Sequence, residues 1–183
     1  MNVNFTFTDA EKNQPVRIEQ VFAEKPGGGM VANPSFDVLP TTAVGKNSSG
    51  AYAPIKAYRL AEDVASGDST IKVEKGSGIA VGDIIGHGTK GVACTAVDST
   101  SDDFDKVTVS LAATLKKGDV LYQANTASTS CAPIYTPEYV VGNMVFANKG
   151  DQPVRFINGA NLRKETACIA SEVAALLPNI NLV

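Results

Sequence analysis

The sequence predicts a mainly β protein: a small barrel or sandwich built from two related β units, with a short C-terminal helix. Three observations carry this prediction, namely alternating apolar and polar runs, frequent turns containing Gly or Pro, and an internal repeat of one β unit. Hydrophobic residues make up 44% of the 183 residues, which is enough to bury a core.

The first segment predicts a β-hairpin. Val3, Phe5 and Phe7 alternate with polar residues, which is the period of a half-buried strand. A polar turn separates them from residues 16–22, which predict the second strand.

Residues 23–53 predict an extended arm or long loop, so that residues 1–53 form an N-terminal hairpin and arm. The run Lys25-Pro26-Gly27-Gly28-Gly29 is poor material for a helix or a strand, because Gly is flexible and Pro lacks an N–H donor. Long loops commonly carry function. Two interpretations stay open, a disordered linker or an arm that orders against a partner.

Residues 54–125 predict a repeat-built β domain. The strand 71–73 and the segment 79–85 recur as 107–109 and 115–121, at a constant offset of 36 residues. Each unit has an alternating strand, an apolar anchor, a Gly-Asp turn and a second apolar strand. Neither unit buries its own apolar face, so we expect the two to pack together.

The repeated Gly-Asp pairs, Gly82-Asp83 and Gly118-Asp119, predict turns. Gly supplies a positive φ, and an Asp carboxylate bonds back to amides of its own turn. A catalytic or metal-binding carboxylate is the alternative, and the duplication favours the turn.

Two loops beside the repeats invite a ligand interpretation. Residues 86–91 are Gly-rich and contain a Lys, but they lack the spacing of a phosphate-binding loop, so we expect a hairpin turn. Residues 98–105 are acidic but lack the central Gly and final Glu of an EF-hand, so we expect a solvated hairpin tip rather than a calcium site. His87 is the only histidine, and no carboxylate stands near it in sequence to orient it as a base.

Residues 126–183 predict further strands and the short helix, either as a separate part or continuous with 54–125. Strands are predicted over 139–146, 153–157 and 167–169, with a turn at Asn158-Gly159 after the second. Ser171 is the predicted N-cap of a helix over 173–177, which Pro178 ends. The tail 179–183 is apolar, so we expect it to be buried within the subunit or across a subunit contact.

Composition excludes several classes of function. With 16 basic and 19 acidic residues the net charge is −3, which argues against nucleic-acid binding. No signal peptide or membrane span is predicted, and we expect synthesis in a cytoplasm. Cys94, Cys131 and Cys168 are too far apart for a zinc or redox motif and are expected to be free, buried thiols.

The Gly-Asp segments Val81-Gly82-Asp83-Ile84 and Lys117-Gly118-Asp119-Val120 resemble bacteriophage virion proteins. So does the C-terminal run from Asn161-Leu162-Arg163-Lys164 through residues 174–183. Over roughly residues 50–183 the chain is similar to the head-fibre or capsid-decoration proteins of phages and of prophages of gut bacteria.

The resemblance implies a non-enzymatic structural subunit on the outer capsid of a virion. It implies a homo-oligomer, with a trimer favoured, and a capsid protein as partner. Residues 24–53 are the predicted anchor. No catalytic, cofactor-binding or metal-binding residue is predicted, and no cofactor.

Two other classes of function stay open. A carbohydrate-binding or adhesion module of a bacterial surface protein needs a flat aromatic platform, for which the tyrosines Tyr52, Tyr58, Tyr122, Tyr135 and Tyr139 are the candidates beside seven Phe. An enzyme with a site at an oligomer interface rests only on scattered Asp, Lys and His87.

Overall fold

A computed structural model describes residues 15–183, and it confirms the predicted fold class. The described residues are mainly β, with one short helix near the C-terminus. The elements are β1 (Ile18–Glu24), β2 (Gly29–Val31), β3 (Ala43–Lys46), β4 (Tyr52–Pro54), β5 (Ala57–Arg59), β6 (Thr70–Glu74), β7 (Ile84–His87), β8 (Lys90–Ala93), β9 (Ala96–Asp98), β10 (Phe104–Thr108), β11 (Val120–Gln123), β12 (Pro137–Val141), β13 (Gln152–Val154), β14 (Phe156–Leu162), α1 (Ser171–Ala174) and β15 (Ile180–Leu182).

The repeat folds as two β units related by a pseudo-two-fold axis. Strands β6 and β10 pair antiparallel with Ile71 opposite Val107, and β7 and β11 pair antiparallel with Gly86 opposite Tyr122. In each pair this one residue lies opposite its own repeat equivalent, 36 positions along the chain, as a local two-fold axis between the units requires. The paired strands belong to a three-stranded sheet, β6-β10-β9, and a four-stranded sheet, β5-β11-β7-β8.

The two units share one hydrophobic core. Repeat-equivalent residues such as Ile71 and Val107, or Ile85 and Leu121, are buried in the same cluster. Alternation in each strand directs these side chains inward and the intervening polar ones outward. The expected packing of one unit on the other is therefore confirmed.

The Gly-Asp pairs form turns, as predicted. Gly82 and Gly118 have φ of 92° and 89°, which L-residues with a side chain rarely adopt. Asp83 Oδ2 accepts the N–H of Ala80 at 2.9 Å, and Asp119 Oδ2 accepts that of Lys116 at 2.8 Å. Each carboxylate thus bonds back to its own turn at the equivalent position.

The third and largest sheet curls into a half-barrel. Its eight strands run β1-β14-β12-β3-β4-β2-β13, with β15 beside β14. Seven buried side chains form its hydrophobic core cluster: Val31, Val38, Val44, Val141, Val145, Val154 and Phe156.

The sequence prediction of an irregular arm over 23–53 differs from this structure. Strand β2 pairs with β13 and β4, and β3 pairs with β12 and β4, so the segment is part of the half-barrel. These strands have only three or four residues and are flanked by Gly and Pro. β3 and β4 pair locally, but β2 and β3 also pair with β13 and β12 far along the chain, which local patterns do not reveal.

The predicted N-terminal hairpin falls partly outside the described residues, because its first strand lies in 3–7. The second strand is β1, and it pairs antiparallel with β14. The predicted turn at Asn158-Gly159 is wrong: β14 runs straight through it. A Cβ at Gly159 would lie 2.7 Å from the ring of Phe22, so this glycine allows close packing of β1 on β14.

The C-terminal helix exists but is shorter and begins earlier than predicted. It spans Ser171–Ala174, with Ala170 at the N-cap and no capping side-chain bond. Ser171 is therefore the first helical residue rather than the cap, and its hydroxyl bonds to Glu172. The strand predicted over 167–169 is wrong, since this segment is irregular.

The apolar tail packs within the subunit, which was one of the two predicted alternatives. Strand β15 pairs in parallel with β14, and Ile180 is buried. It joins a core cluster that also contains Val173 of α1, Ile157 of β14, and Tyr122 and Ala124 from the end of the repeat. Residues 54–125 and 126–183 therefore share a core, and the predicted boundary between them stays a prediction.

Candidate functional site: an aromatic cage in the half-barrel

Three aromatic side chains form a cage in the half-barrel. Tyr52 on β4, Tyr139 on β12 and Phe156 at the start of β14 pack on one another. The ring centroids of Tyr139 and Phe156 are 5.1 Å apart and stacked, and Tyr52 meets Phe156 edge-on at 4.8 Å. Phe156 is fully buried, and the two tyrosines are half-buried.

The ammonium group of Lys25 caps this aromatic cage. Lys25 Nζ lies 5.2 Å from the ring centroid of Tyr52 and 5.5 Å from those of Tyr139 and Phe156. All three distances fall within the range of cation–π attraction. The cage as built is therefore complementary to an alkylammonium group.

Lys25 is placed over the rings by the turn that links β1 to β2. Its N–H donates to the carbonyl of Phe156 at 2.8 Å, and Gly28 N–H donates to its carbonyl at 2.9 Å. A Cβ at Gly29 would overlap the ring of Phe156. The glycine run that looked unsuitable for a strand therefore allows the backbone to reach the cage, and Gly29 begins β2.

A carboxylate completes the surroundings of the cage. Tyr52 Oη donates to Glu138 Oε2 at 2.8 Å. Burial, and then this hydrogen bond, raise the pKa of Tyr52 to about 12. Lys46 Nζ lies 3.8 Å from Glu138 and 5.6 Å from the Tyr52 ring, so a second ammonium stands on the outer side.

The five tyrosines proposed as an adhesion platform do not come together. Tyr58 and Tyr122 are buried in cores, and Tyr135 packs against the cluster beneath α1. Only Tyr52 and Tyr139 are neighbours, and their rings meet at 71°. A flat platform for a sugar ring is not formed by these residues.

His87 has a carboxylate partner that the sequence did not reveal. Glu172 of α1 places Oε1 3.5 Å from His87 Nδ1, although no carboxylate stands near His87 in the sequence. The same carboxylate accepts the N–H of Gly88 at 2.7 Å and the hydroxyl of Ser171 at 3.0 Å. Glu172 thus holds the β7–β8 turn against α1.

The two loops with a possible ligand role form hairpin connections. His87 pairs with Lys90 across a two-residue turn, which confirms the hairpin over 86–91. The acidic loop joins β9 to β10, and Asp98 accepts the N–H of Thr100 at 3.0 Å. Within residues 15–183, no three His, Cys, Asp or Glu side chains are grouped to hold a metal ion.

All three cysteines are free. Cys94 and Cys131 are buried, as predicted, whereas Cys168 is half-buried. Burial raises the pKa of the Cys94 thiol. The Cys131 sulfur lies 3.3 Å from the Tyr122 hydroxyl, within hydrogen-bonding reach.

Apart from the aromatic cage, a cleft of 210 Å³ lies between the repeat and the half-barrel. Two of its charged side chains, Arg59 and Lys75, are engaged in structural bonds. Arg59 donates to the carbonyls of Gly118 and Ala167, and Lys75 donates to Asp105 at 2.8 Å. These bonds connect the elements that pack on either side of the cleft, so the two side chains have a structural role there.

Sequence reasoning missed the aromatic cage because its members are scattered along the chain. Tyr52, Tyr139 and Phe156 meet only through the pairing of β3 with β4 and of β12 with β3 and β14. No local signal marks the cage at Lys25, because a Lys followed by Pro26 and glycines has the ordinary composition of a solvated turn.

Comparison of the chain with protein-family models, curated proteins and solved structures finds no match. In the part of the chain described, no helix has the length and apolar character needed to cross a membrane.

Proposed function

We propose that this protein is a non-enzymatic structural protein of a virion, a head-fibre or decoration subunit that self-associates and sits on the outer capsid. The resemblance of its Gly-Asp segments and C-terminal run to phage virion proteins motivates the proposal. The structural observation that supports it is the exposure of large apolar side chains near both ends of the half-barrel sheet.

Phe22 is 54% exposed and lies on β1, which is the end strand of the half-barrel sheet within residues 15–183. At the other end, Met30 of β2 is 50% exposed and stands opposite the exposed Pro153 of the end strand β13. Strands at sheet ends offer backbone donors and acceptors for pairing, and soluble monomers commonly protect them with charge. Apolar groups at both ends favour protein–protein contact, which suits a subunit of an assembly.

Sedimentation velocity over a range of concentrations tests self-association. We expect an oligomer, a trimer by the resemblance, and at least tenfold weaker association in Phe22→Ser or Met30→Ser. Val81→Ser is the matched control, because Val81 is 64% exposed but lies in a turn of the repeat. A strict monomer at all concentrations, or equal weakening by the control, contradicts the proposed role of the sheet ends.

Capsids assembled without this protein test attachment. We expect the purified protein to co-sediment with them and to appear on their outer surface by electron microscopy. Absence of binding by a correctly assembled oligomer refutes the decoration role. Selective binding on a glycan array would instead favour the adhesion alternative.

A further inference from the structure

The aromatic cage has the composition of an ammonium-binding site. Three rings, those of Tyr52, Tyr139 and Phe156, pack against one another, and Lys25 Nζ lies above all three, 5.2 to 5.5 Å from each centroid. Aromatic cages of this kind recognise alkylammonium ions, because ring faces attract positive charge without requiring a directed hydrogen bond.

The cage itself is held by rigid elements. Its rings are on β4, β12 and β14, which are joined through the paired strands of the half-barrel, and they pack on one another. The carboxylate of Glu138, bonded to the Tyr52 hydroxyl, adds negative charge beside the rings. The rings are therefore positioned by the strands of the sheet, and the capping segment adds the contact of Gly29 with the Phe156 ring.

The cap, in contrast, is built on a turn. Lys25 precedes Pro26 and two glycines with positive φ, Gly27 at 75° and Gly28 at 63°. On the far side of this turn an open cleft of 530 Å³ is lined by Lys25, Glu24 and Arg155. The Glu24 carboxylate in this cleft is paired with Arg155, so a displaced Lys25 ammonium would turn into the open, solvated part of the cleft.

We propose that the aromatic cage is a binding site for an alkylammonium group, and that Lys25 occupies it in the free protein until a ligand ammonium displaces it. The ligand is either the lysine side chain of a partner protein or a free quaternary ammonium compound. Lys25 acts as an internal competitor, so the wild-type protein binds an external ammonium more weakly than the cage alone would.

Two probes separate the two ligand sources: n-butylammonium stands for a lysine side chain, and tetramethylammonium for a quaternary compound. Binding is followed by NMR shifts of the tyrosine ring protons, with tert-butanol as the uncharged isostere. In Lys25→Ser we expect at least tenfold tighter binding of one ammonium probe than in wild type. Lys46→Ser is the matched control, because Lys46 lies over the Tyr52 ring alone and otherwise pairs with Glu138. The Lys46→Ser variant should bind the probes with an affinity near that of wild type.

Specificity for the cage is tested by adding Tyr139→Leu to the Lys25→Ser variant. Loss of ammonium binding in this double variant supports the proposal. Equal affinity in wild type and Lys25→Ser, unchanged affinity in the double variant, or equal binding of tert-butanol overturns it.

A measurement on the unaltered protein covers the case in which Lys25→Ser does not fold. Lysine acetylation is followed by mass spectrometry with and without the ammonium probes. We expect the probe that binds to speed acetylation of Lys25 several-fold relative to Lys46, and tert-butanol to have no such effect. An unchanged ratio of the two rates with both probes overturns the proposal.

Discussion

Replacing Asp83 by Ala should destabilise the protein far more than the same change at Asp119, its repeat equivalent. Asp83 accepts hydrogen bonds from Lys56 Nζ at 2.8 Å, from Tyr58 Oη at 3.1 Å and from Gln123 Nε2 at 3.3 Å, besides its turn amide. The side chains of Lys56 and Asp83 are only 14% and 12% exposed. The substitution leaves an ammonium and a buried hydroxyl without their acceptor.

The magnitude follows from these partners. Breaking a buried ion pair by removing one member costs about 3–5 kcal/mol, and a buried hydroxyl left without its acceptor costs about 1–3 kcal/mol. The two effects overlap and some solvent reaches the pair, so we expect about 3–5 kcal/mol in all. Asp119 is exposed, and Asp119→Ala removes only its hydrogen bond to the N–H of Lys116 in the turn. This loss should cost about 1 kcal/mol of unfolding free energy.

Urea unfolding at neutral pH, followed by circular dichroism, measures both free energies of unfolding. The repeat supplies the control, because both residues close the same turn with the same backbone bond. If the two variants differ by less than about 1 kcal/mol, the buried ion pair does not contribute as argued. Asp83→Asn separates charge from hydrogen bonding, and it should fall between wild type and Asp83→Ala.

Three further predictions follow from local geometry. Gly29→Ala should cost about 1–3 kcal/mol in urea unfolding, because its Cβ overlaps the Phe156 ring, whereas Gly67→Ala, with open space around it, should be neutral within about 0.5 kcal/mol. In native protein, Ellman's reagent should modify Cys168 first and the two buried thiols only after denaturation; equal rates for all three would contradict their burial. Alkali should destabilise the fold: the pKa of Tyr52 is raised to about 12, so between about pH 10 and 12 the unfolded chain ionises this tyrosine first. Tyr52 alone should then lower the free energy of unfolding by up to about 1.4 kcal/mol per pH unit, in addition to the losses from Tyr58 and Tyr122, whose pKa values burial also raises. Urea unfolding at pH 9 and 11, compared with Tyr52→Phe, measures that loss, and an equal loss in the variant would refute its assignment to Tyr52.

The repeat was predictable because its signals are local. Alternation places Ile71 and Val73 on one face, and the φ that Gly82 must adopt follows from its place in a Gly-Asp turn. The constant offset of 36 residues also implied that the units are structurally equivalent. It did not specify that equivalent strands pair with each other, since that register is set by packing of the shared core.

The half-barrel was not predictable in the same way. Its short strands between residues 29 and 54 are stabilised by backbone bonds to β12 and β13 and by burial against Phe156, none of which is encoded locally. In the sequence, Gly29 predicted a loop and Gly159 predicted a turn. In the folded chain they are strand residues whose missing Cβ allows an aromatic ring to approach.

The differences between the two repeat units show how the repeat is joined to the half-barrel. Asp119 closes only its turn, whereas Asp83 also binds Lys56, whose ammonium lies 5.7 Å from the ring centroid of Phe36. Phe36 packs on the half-barrel core, and Tyr122 of the repeat enters the core beneath α1. The repeat therefore carries the contacts that join it to the half-barrel. The aromatic cage and the exposed apolar sheet ends lie on elements outside the repeat. If disruption of the Asp83–Lys56 pair weakens ligand or partner binding, the cause would be a shift of the half-barrel relative to the repeat. Variants confined to the cage or the sheet ends are therefore the direct tests of function.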